Sequence, residues 1–283
     1  MKTSIVKKKT DISHKPIGQF EETRFEKIHN VIFSDSNEAS IRVAEEIAEL
    51  IRKKQNQNRT CVLGLATGSS PIRVYEELVR MHNEEGLSFQ NVVTFNLDEY
   101  LPMEKSNIQS YHYFMHEHLF NHIDIDPENV HIPDGTVSPD ETVAYCIDYE
   151  KKIKDFGGLD FQLLGIGRTG HIGFNEPGNP FESRTHVVKL HRETREVNAR
   201  FFDSLEEVPE YSMTMGIKTI MRSKRILLLA TGEKKCEAIR KTLYGPITPD
   251  FPASVLQLHP DCRILVDKAA GQLLEMNSGT MAV

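Results

Sequence analysis

Four short segments of the 283-residue sequence gather glycines, hydroxyls and ionisable side chains where simple packing would call for none. The first is Ala66-Thr67-Gly68-Ser69-Ser70-Pro71. Gly68 lets backbone approach a ligand closely, and the hydroxyls of Thr67, Ser69 and Ser70 can donate hydrogen bonds. Pro71 suits the first position of a following helix, whose free amides and positive end favour a phosphate. The GxxxxGK[ST] spacing is absent, so a nucleoside triphosphate is not indicated. Taken alone, the segment also reads as a capped strand-to-helix turn.

The second segment is Asp98-Glu99-Tyr100, after the apolar run Val92 to Leu97. A carboxylate at such a strand end is desolvated, which raises its pKa and makes a general base; the bland alternative is a helix cap. The third is Gly165-Ile166-Gly167-Arg168-Thr169-Gly170-His171, with Asn175-Glu176-Pro177 just beyond. A carboxylate beside an imidazole fixes its tautomer and raises its basicity, which suits His171 and Glu176 to proton shuttling. The fourth is Thr231-Gly232-Glu233-Lys234-Lys235. Lys235 falls in the first turn of an expected helix, where a cation opposes the dipole unless a bound phosphate shares that end. His112 and His116 stand at i and i+4 and could share a metal, but no HExxH accompanies them. Ser69 and Ser70 lack the GxSxG elbow of a serine hydrolase.

The elements that must position these groups follow from periodicity. Apolar runs at Cys61–Ala66, Val92–Leu97, Phe161–Ile166, Arg225–Ala230 and Cys262–Val266 predict five strands, the first of them buried on both faces. Between them, helices are expected from Ser36 as cap through Ile51, from Ile72 through Val79, over Asn107–Leu119, and over Glu233–Leu243. Strands separated by helices predict an α/β fold, a mostly parallel sheet with helices on both faces. In such sheets ligands bind outside the carboxyl ends of the strands, where all four segments fall. Residues 1–30 are expected to be a charged, mobile N-terminal extension, 31–275 a single α/β domain and 276–283 a C-terminal tail.

Composition narrows the class. With 34 basic against 41 acidic residues the formal charge is −7, which argues against a nucleic-acid-binding face. No apolar stretch approaches the roughly 20 residues that span a bilayer, so no membrane partner is expected. Cys61, Cys146, Cys236 and Cys262 are widely spaced without a CxxC pair, which predicts free, buried thiols and a cytoplasmic setting.

The combination Leu63-Gly64-Leu65-Ala66-Thr67-Gly68-Ser69-Ser70-Pro71, Phe95-Asn96-Leu97-Asp98-Glu99-Tyr100 and Gly170-His171-Ile172-Gly173-Phe174-Asn175-Glu176-Pro177 resembles the glucosamine-6-phosphate deaminase (isomerase) family. Ser183-Arg184-Thr185, Asn198-Ala199-Arg200-Phe201-Phe202 and Leu256-Gln257-Leu258-His259-Pro260 extend the likeness over residues 30 to 270. The resemblance implies a modified Rossmann-like fold and a hydrolase/isomerase of amino-sugar catabolism. Its reaction would convert glucosamine 6-phosphate to fructose 6-phosphate and ammonia, with neither redox cofactor nor metal. It implies a homo-oligomer, a sugar phosphate as ligand, Asp98 as the base between C2 and C1, and His171 with Glu176 as the ring-opening pair. Thr67, Gly68, Ser69, Ser70, Gly167, Arg200 and Lys235 would hold substrate.

Two departures stand out. Many relatives carry Asp-Gly-His where this chain has Thr169-Gly170-His171, so Thr169 takes a place in the catalytic group without a charge. Gly178-Asn179-Pro180 and His186-Val187-Val188 replace the serines and basic residues of the family's effector site, which implies little activation by N-acetylglucosamine 6-phosphate. The competing readings are a 6-phosphogluconolactonase and a non-catalytic sugar-phosphate sensor. Residues 1–30 are too short for a helix-turn-helix domain, which disfavours the latter.

Overall fold

The computed structural model describes residues 28–278; of the extension expected over 1–30, residues 1–27 lie outside them while 29 and 30 open a strand, and of the tail expected over 276–283, residues 279–283 lie outside while 276–278 end a helix. The strands are β1 (His29–Phe33), β2 (Cys61–Leu65), β3 (Val92–Asn96), β4 (Asp98–Leu101), β5 (Val130–His131), β6 (Phe161–Leu164), β7 (His186–Lys189), β8 (Tyr211–Thr214), β9 (Ile226–Ala230) and β10 (Cys262–Asp267). The helices are α1 (Ser36–Asn56), α2 (Ile72–Glu85), α3 (Tyr111–His118), α4 (Thr142–Asp155), α5 (Arg192–Asn198), α6 (Ile217–Ile220), α7 (Cys236–Tyr244) and α8 (Lys268–Ser278).

Seven strands pair in parallel in the order β1-β10-β9-β6-β2-β3-β5, and β4-β8-β7 form a separate antiparallel sheet. From β2 the chain moves outward to β3 and β5, then returns to β6 on the other side of β2 and continues to β9 and β10. Strand order therefore reverses between β2 and β6, which opens the ligand crevice of a doubly wound sheet at that point. The two strands meet closely there: a Cβ on Gly64 would lie 2.0 Å from Oε1 of its paired residue Gln162. Glycine at 64 is thus a packing requirement of the switch point.

The strand residues of β2, β3, β6 and β9 are buried throughout, as both-faced burial of a parallel sheet demands. Helix α1 lays Ala39, Val43, Ala44, Ile47, Ala48 and Ile51 into the core at helical spacing. A second, small cluster of Tyr100, Met103, Phe174 and Leu190 packs beside the antiparallel sheet.

Several expectations shift in detail. Asp35, not Ser36, caps α1, its Oδ1 accepting from the Glu38 amide at 2.9 Å. The helix expected from Asn107 begins at Tyr111, because Asn107 accepts from the Gln109 amide in a local turn and Ser110 caps the helix through the Tyr113 amide. A 3-10 turn over Glu233–Lys235 precedes α7, so Lys235 stands before that helix and not in its first turn. After β10 comes α8, whose first turn is capped by Asp267 accepting from the Ala270 amide. The four cysteines are free and buried.

Candidate active site

The run Val92–Leu97 does not end on Asp98 as one strand. It breaks at Leu97, whose amide donates to Leu65 and whose carbonyl accepts from Met215. Asp98 then opens β4, paired with Thr214 of β8. The break turns the Asp98 carboxyl out of the parallel sheet and into a cavity of about 550 Å³ at the carboxyl ends of β2, β6 and β9. Asp98 is only 6% exposed. Burial, with the neighbouring Glu99 carboxylate adding to it, pushes Asp98 up to about 8. Gly173, in the left-handed region at φ +56, crosses this wall; a Cβ there would lie 2.9 Å from Thr214 Oγ1 and 3.5 Å from Asp98 Oδ2.

His171 and Thr169 line the same cavity from the loop after β6. A Cβ on Gly167 would lie 2.1 to 2.4 Å from the His171 ring atoms, so Gly167 is the recess in which the imidazole sits. Its amide also donates to the His171 carbonyl at 2.9 Å. His171 Nδ1 lies 3.0 Å from Thr169 Oγ1 and 3.4 Å from Glu176 Oε2. With Nδ1 so engaged, Nε2 is the ring atom left for acid–base work. Glu176 is 2% exposed and stands behind the histidine rather than on the cavity wall. Thr194 Oγ1 donates to its Oε1 at 2.5 Å. Burial pushes the Glu176 carboxyl up, but the His171 imidazole and the Thr194 hydroxyl outweigh that and hold it below its ordinary value.

The cavity also has a cationic lining. Thr67, Gly68, Ser69 and Ser70 line it, with Gly68 at φ +101. No side chain caps the start of α2, so its amides remain available to an anion. Lys235 reaches across to donate to the Ile166 carbonyl at 2.5 Å. Burial, then the positive charges of Arg168 and Arg200, lower the Lys235 ammonium's proton affinity. A dianion among these three cations would relieve their mutual repulsion. Arg200 lines the cavity from the turn after α5, its guanidinium stacked 4.6 Å from the centroid of Phe201.

The structure thus gathers Asp98, Thr169, His171, Thr67–Ser70, Gly167, Arg200 and Lys235 around one cavity, with Glu176 directly behind. Sequence reasoning gave no role to Arg168, Tyr111, Thr194 and Asn198, which also line it. Arg168 could have been singled out, since it lies within the glycine loop; Tyr111 and Thr194 carry no local signal. His112 and His116 stack on each other with centroids 4.5 Å apart, away from this cavity. Among the described residues no group of three or more His, Cys, Asp or Glu could hold a metal ion.

A buried carboxylate, an imidazole–carboxylate pair and a group of cations around one cavity define a site for an anionic small molecule on a doubly wound sheet. A family profile described as "Glucosamine-6-phosphate isomerases/6-phosphogluconolactonase" matches residues 34–264, and the chain belongs to that family. It is 52% identical over 230 residues to a glucosamine-6-phosphate deaminase of Bacillus velezensis, covering 81% of this chain and 95% of that one. Against the deaminase of Clostridium acetobutylicum it is 52% identical over 244 residues, 86% of this chain and 99% of the other. A solved structure described as a monomeric glucosamine-6-phosphate deaminase superposes with a TM-score of 0.82 at 48% identity, covering 86% of this chain and 99% of that chain. The 6-phosphogluconolactonase of Trypanosoma brucei, at 19% identity, TM-score 0.70 and coverage of 90% and 100%, shares the fold alone.

Proposed function

We propose that the chain is an isomerase-type deaminase that converts glucosamine 6-phosphate and water to fructose 6-phosphate and ammonia. The observation that carries this reading is Asp98: a buried carboxylate on the wall of a cavity that an imidazole and the cations Arg168, Arg200 and Lys235 also line. Identity near 50% to deaminases over most of the chain supports it over lactone hydrolysis.

The phosphate binds among the Thr67–Ser70 turn, the start of α2, Arg200 and Lys235, and its remote binding energy holds the sugar in register. His171 takes the proton of the anomeric hydroxyl and delivers one to the ring oxygen, which opens the pyranose; Glu176 holds the imidazole in its tautomer, and Thr169 supports it from the other side. Asp98 then removes the C2 proton and returns a proton to C1. The aldehyde oxygen gains a proton and the amine loses one, leaving an imine at C2. Water adds to that imine, and ammonia leaves. Each of these groups comes from a single chain, so the reaction does not require the homo-oligomer that the resemblance implies; the solved relative at 48% identity is described as monomeric. Among the described residues no helix is long and apolar enough to cross a membrane.

Supplying the purified chain with glucosamine 6-phosphate tests the reading. Fructose 6-phosphate and ammonia released in equal amounts are expected. Hydrolysis of 6-phosphogluconolactone with no ammonia from the amino sugar would replace the deaminase with a lactonase, and tight binding with neither product would make the chain a sensor.

A further inference from the structure

Glu176 has one engaged oxygen and one contested oxygen. Oε1 accepts from Thr194 at 2.5 Å. Oε2 is buried and makes no aligned hydrogen bond, yet the Nδ1 atoms of two imidazoles lie near it, His171 at 3.4 Å and His191 at 3.8 Å. His171 faces the cavity, whereas the His191 side chain is 51% exposed, at the residue that precedes α5. The carboxylate therefore lies between a reacting imidazole and one that meets solvent.

The groups around Glu176 are few. The loop after β6 contributes His171 and the neutral Thr169; the segment from β7 into α5 contributes His191 and Thr194. Among the described residues no other carboxylate comes within ion-pair distance of either ring. Of the charges that flank His191, Lys189 and Arg195 pair with Glu210 and Arg192 with Glu196, while Glu193 lines the cavity. Because Thr169 brings no charge, whatever His191 takes from Glu176 is not replaced at His171.

We propose that His191 is a positioning residue that competes with His171 for Oε2 of Glu176 and so tunes the pocket imidazole from the protein surface. When His191 carries a proton it draws the carboxylate toward itself and adds a second positive charge, and both effects disfavour a proton on His171. When His191 is neutral, Glu176 serves His171 alone. The catalytic meaning of this coupling rests on the deaminase reading; the coupling itself does not.

Histidine-ring NMR on the full chain tests it, with the His171 signal assigned from a His171→Gln variant. His191 is exposed and uses only its backbone carbonyl to start α5, accepting from the Arg195 amide, so substitutions there leave the fold intact. His191→Asn removes the competing charge and moves the His171 titration midpoint up by roughly half a pH unit; His191→Lys makes the charge permanent and moves it down by a similar amount. Turnover at pH 6 relative to pH 8 then falls in the Asn variant and rises in the Lys variant, with Asp98 common to all three proteins. Midpoints that stay in place in both variants overturn the proposal. Midpoints that move in a chain releasing no fructose 6-phosphate would overturn the deaminase reading and leave the coupling standing.

Discussion

At the scale of single residues, Asp98 is a base obtained at the expense of stability. Its carboxyl is pushed from 3.8 up to about 8, so between those values the folded chain holds a proton that the unfolded chain has released. Stability from this group is complete below about pH 4, declines as pH rises and is lost through about pH 8. Asp98→Asn removes the titration. The variant's melting temperature should match that of the unaltered chain near pH 4, and it should be more stable by a few kcal/mol at pH 9. Melting curves across this range check both ends, while turnover is lost. Thr169→Asp works on the other wall, placing a carboxylate where a hydroxyl now lies 3.0 Å from His171 Nδ1. A second anion favours the protonated ring, so the pH profile of kcat/KM should shift upward on its acid side and the rate should change; an unaltered rate and profile would show that Thr169 is not part of the ring-opening group. His171 and Glu176 were legible as a pair because five positions and a glycine loop separate them. Thr194 and His191 were not, because they reach Glu176 through β7, a strand of partly exposed residues whose sequence shows no apolar run.

At the scale of elements, two local devices place the chemistry. The first is the break at Leu97, which hands the chain from the parallel sheet to the antiparallel one and turns Asp98 inward. An apolar run continuing into Leu97 reads as one strand, since periodicity cannot show which of two sheets pairs with its end. Strands β5, β7 and β8 also escape a reading by pattern: β5 has two residues, and β7 and β8 are short strands held by pairing. The second device is the recess at Gly167. Sequence reasoning placed that glycine against substrate; the structure places the His171 ring 2.1 to 2.4 Å from where its Cβ would be. Gly167→Ala must displace the imidazole, with an overpacking cost of about 1–3 kcal/mol. Turnover should fall at least tenfold while phosphate-dependent substrate affinity is retained, and an unchanged kcat would mean that the ring's place is not what the loop specifies.

At the scale of the whole molecule, the alternation of strands and helices was readable and the strand order was not. The reversal between β2 and β6 brings together loops 100 residues apart in sequence, and only their shared position after strands hinted at it. A buried charge cluster at the other end of the sheet ties the same strands together. Asp160 accepts from Lys54 of α1 at 2.6 Å, from Lys224 at 2.7 Å and from the Val62 amide of β2 at 3.0 Å. Burial raises that carboxyl, and the two lysines more than offset the effect, holding it below its ordinary value. Asp160→Ala would strand the buried Lys54 ammonium and should cost about 3–5 kcal/mol, read by denaturant unfolding, with KM unchanged because the cluster lies outside the cavity.

The central claim is that one carboxylate, Asp98, carries the proton between C2 and C1. Turning over glucosamine 6-phosphate in deuterium oxide tests it most directly. The account predicts fructose 6-phosphate whose new C1 hydrogen sits on one face and is part protium carried over from C2 and part solvent deuteron exchanged onto the carboxyl, formed at a rate that Asp98→Asn lowers by about 10³-fold. Deuteron incorporation at C1 that proceeds undiminished in Asp98→Asn would contradict it.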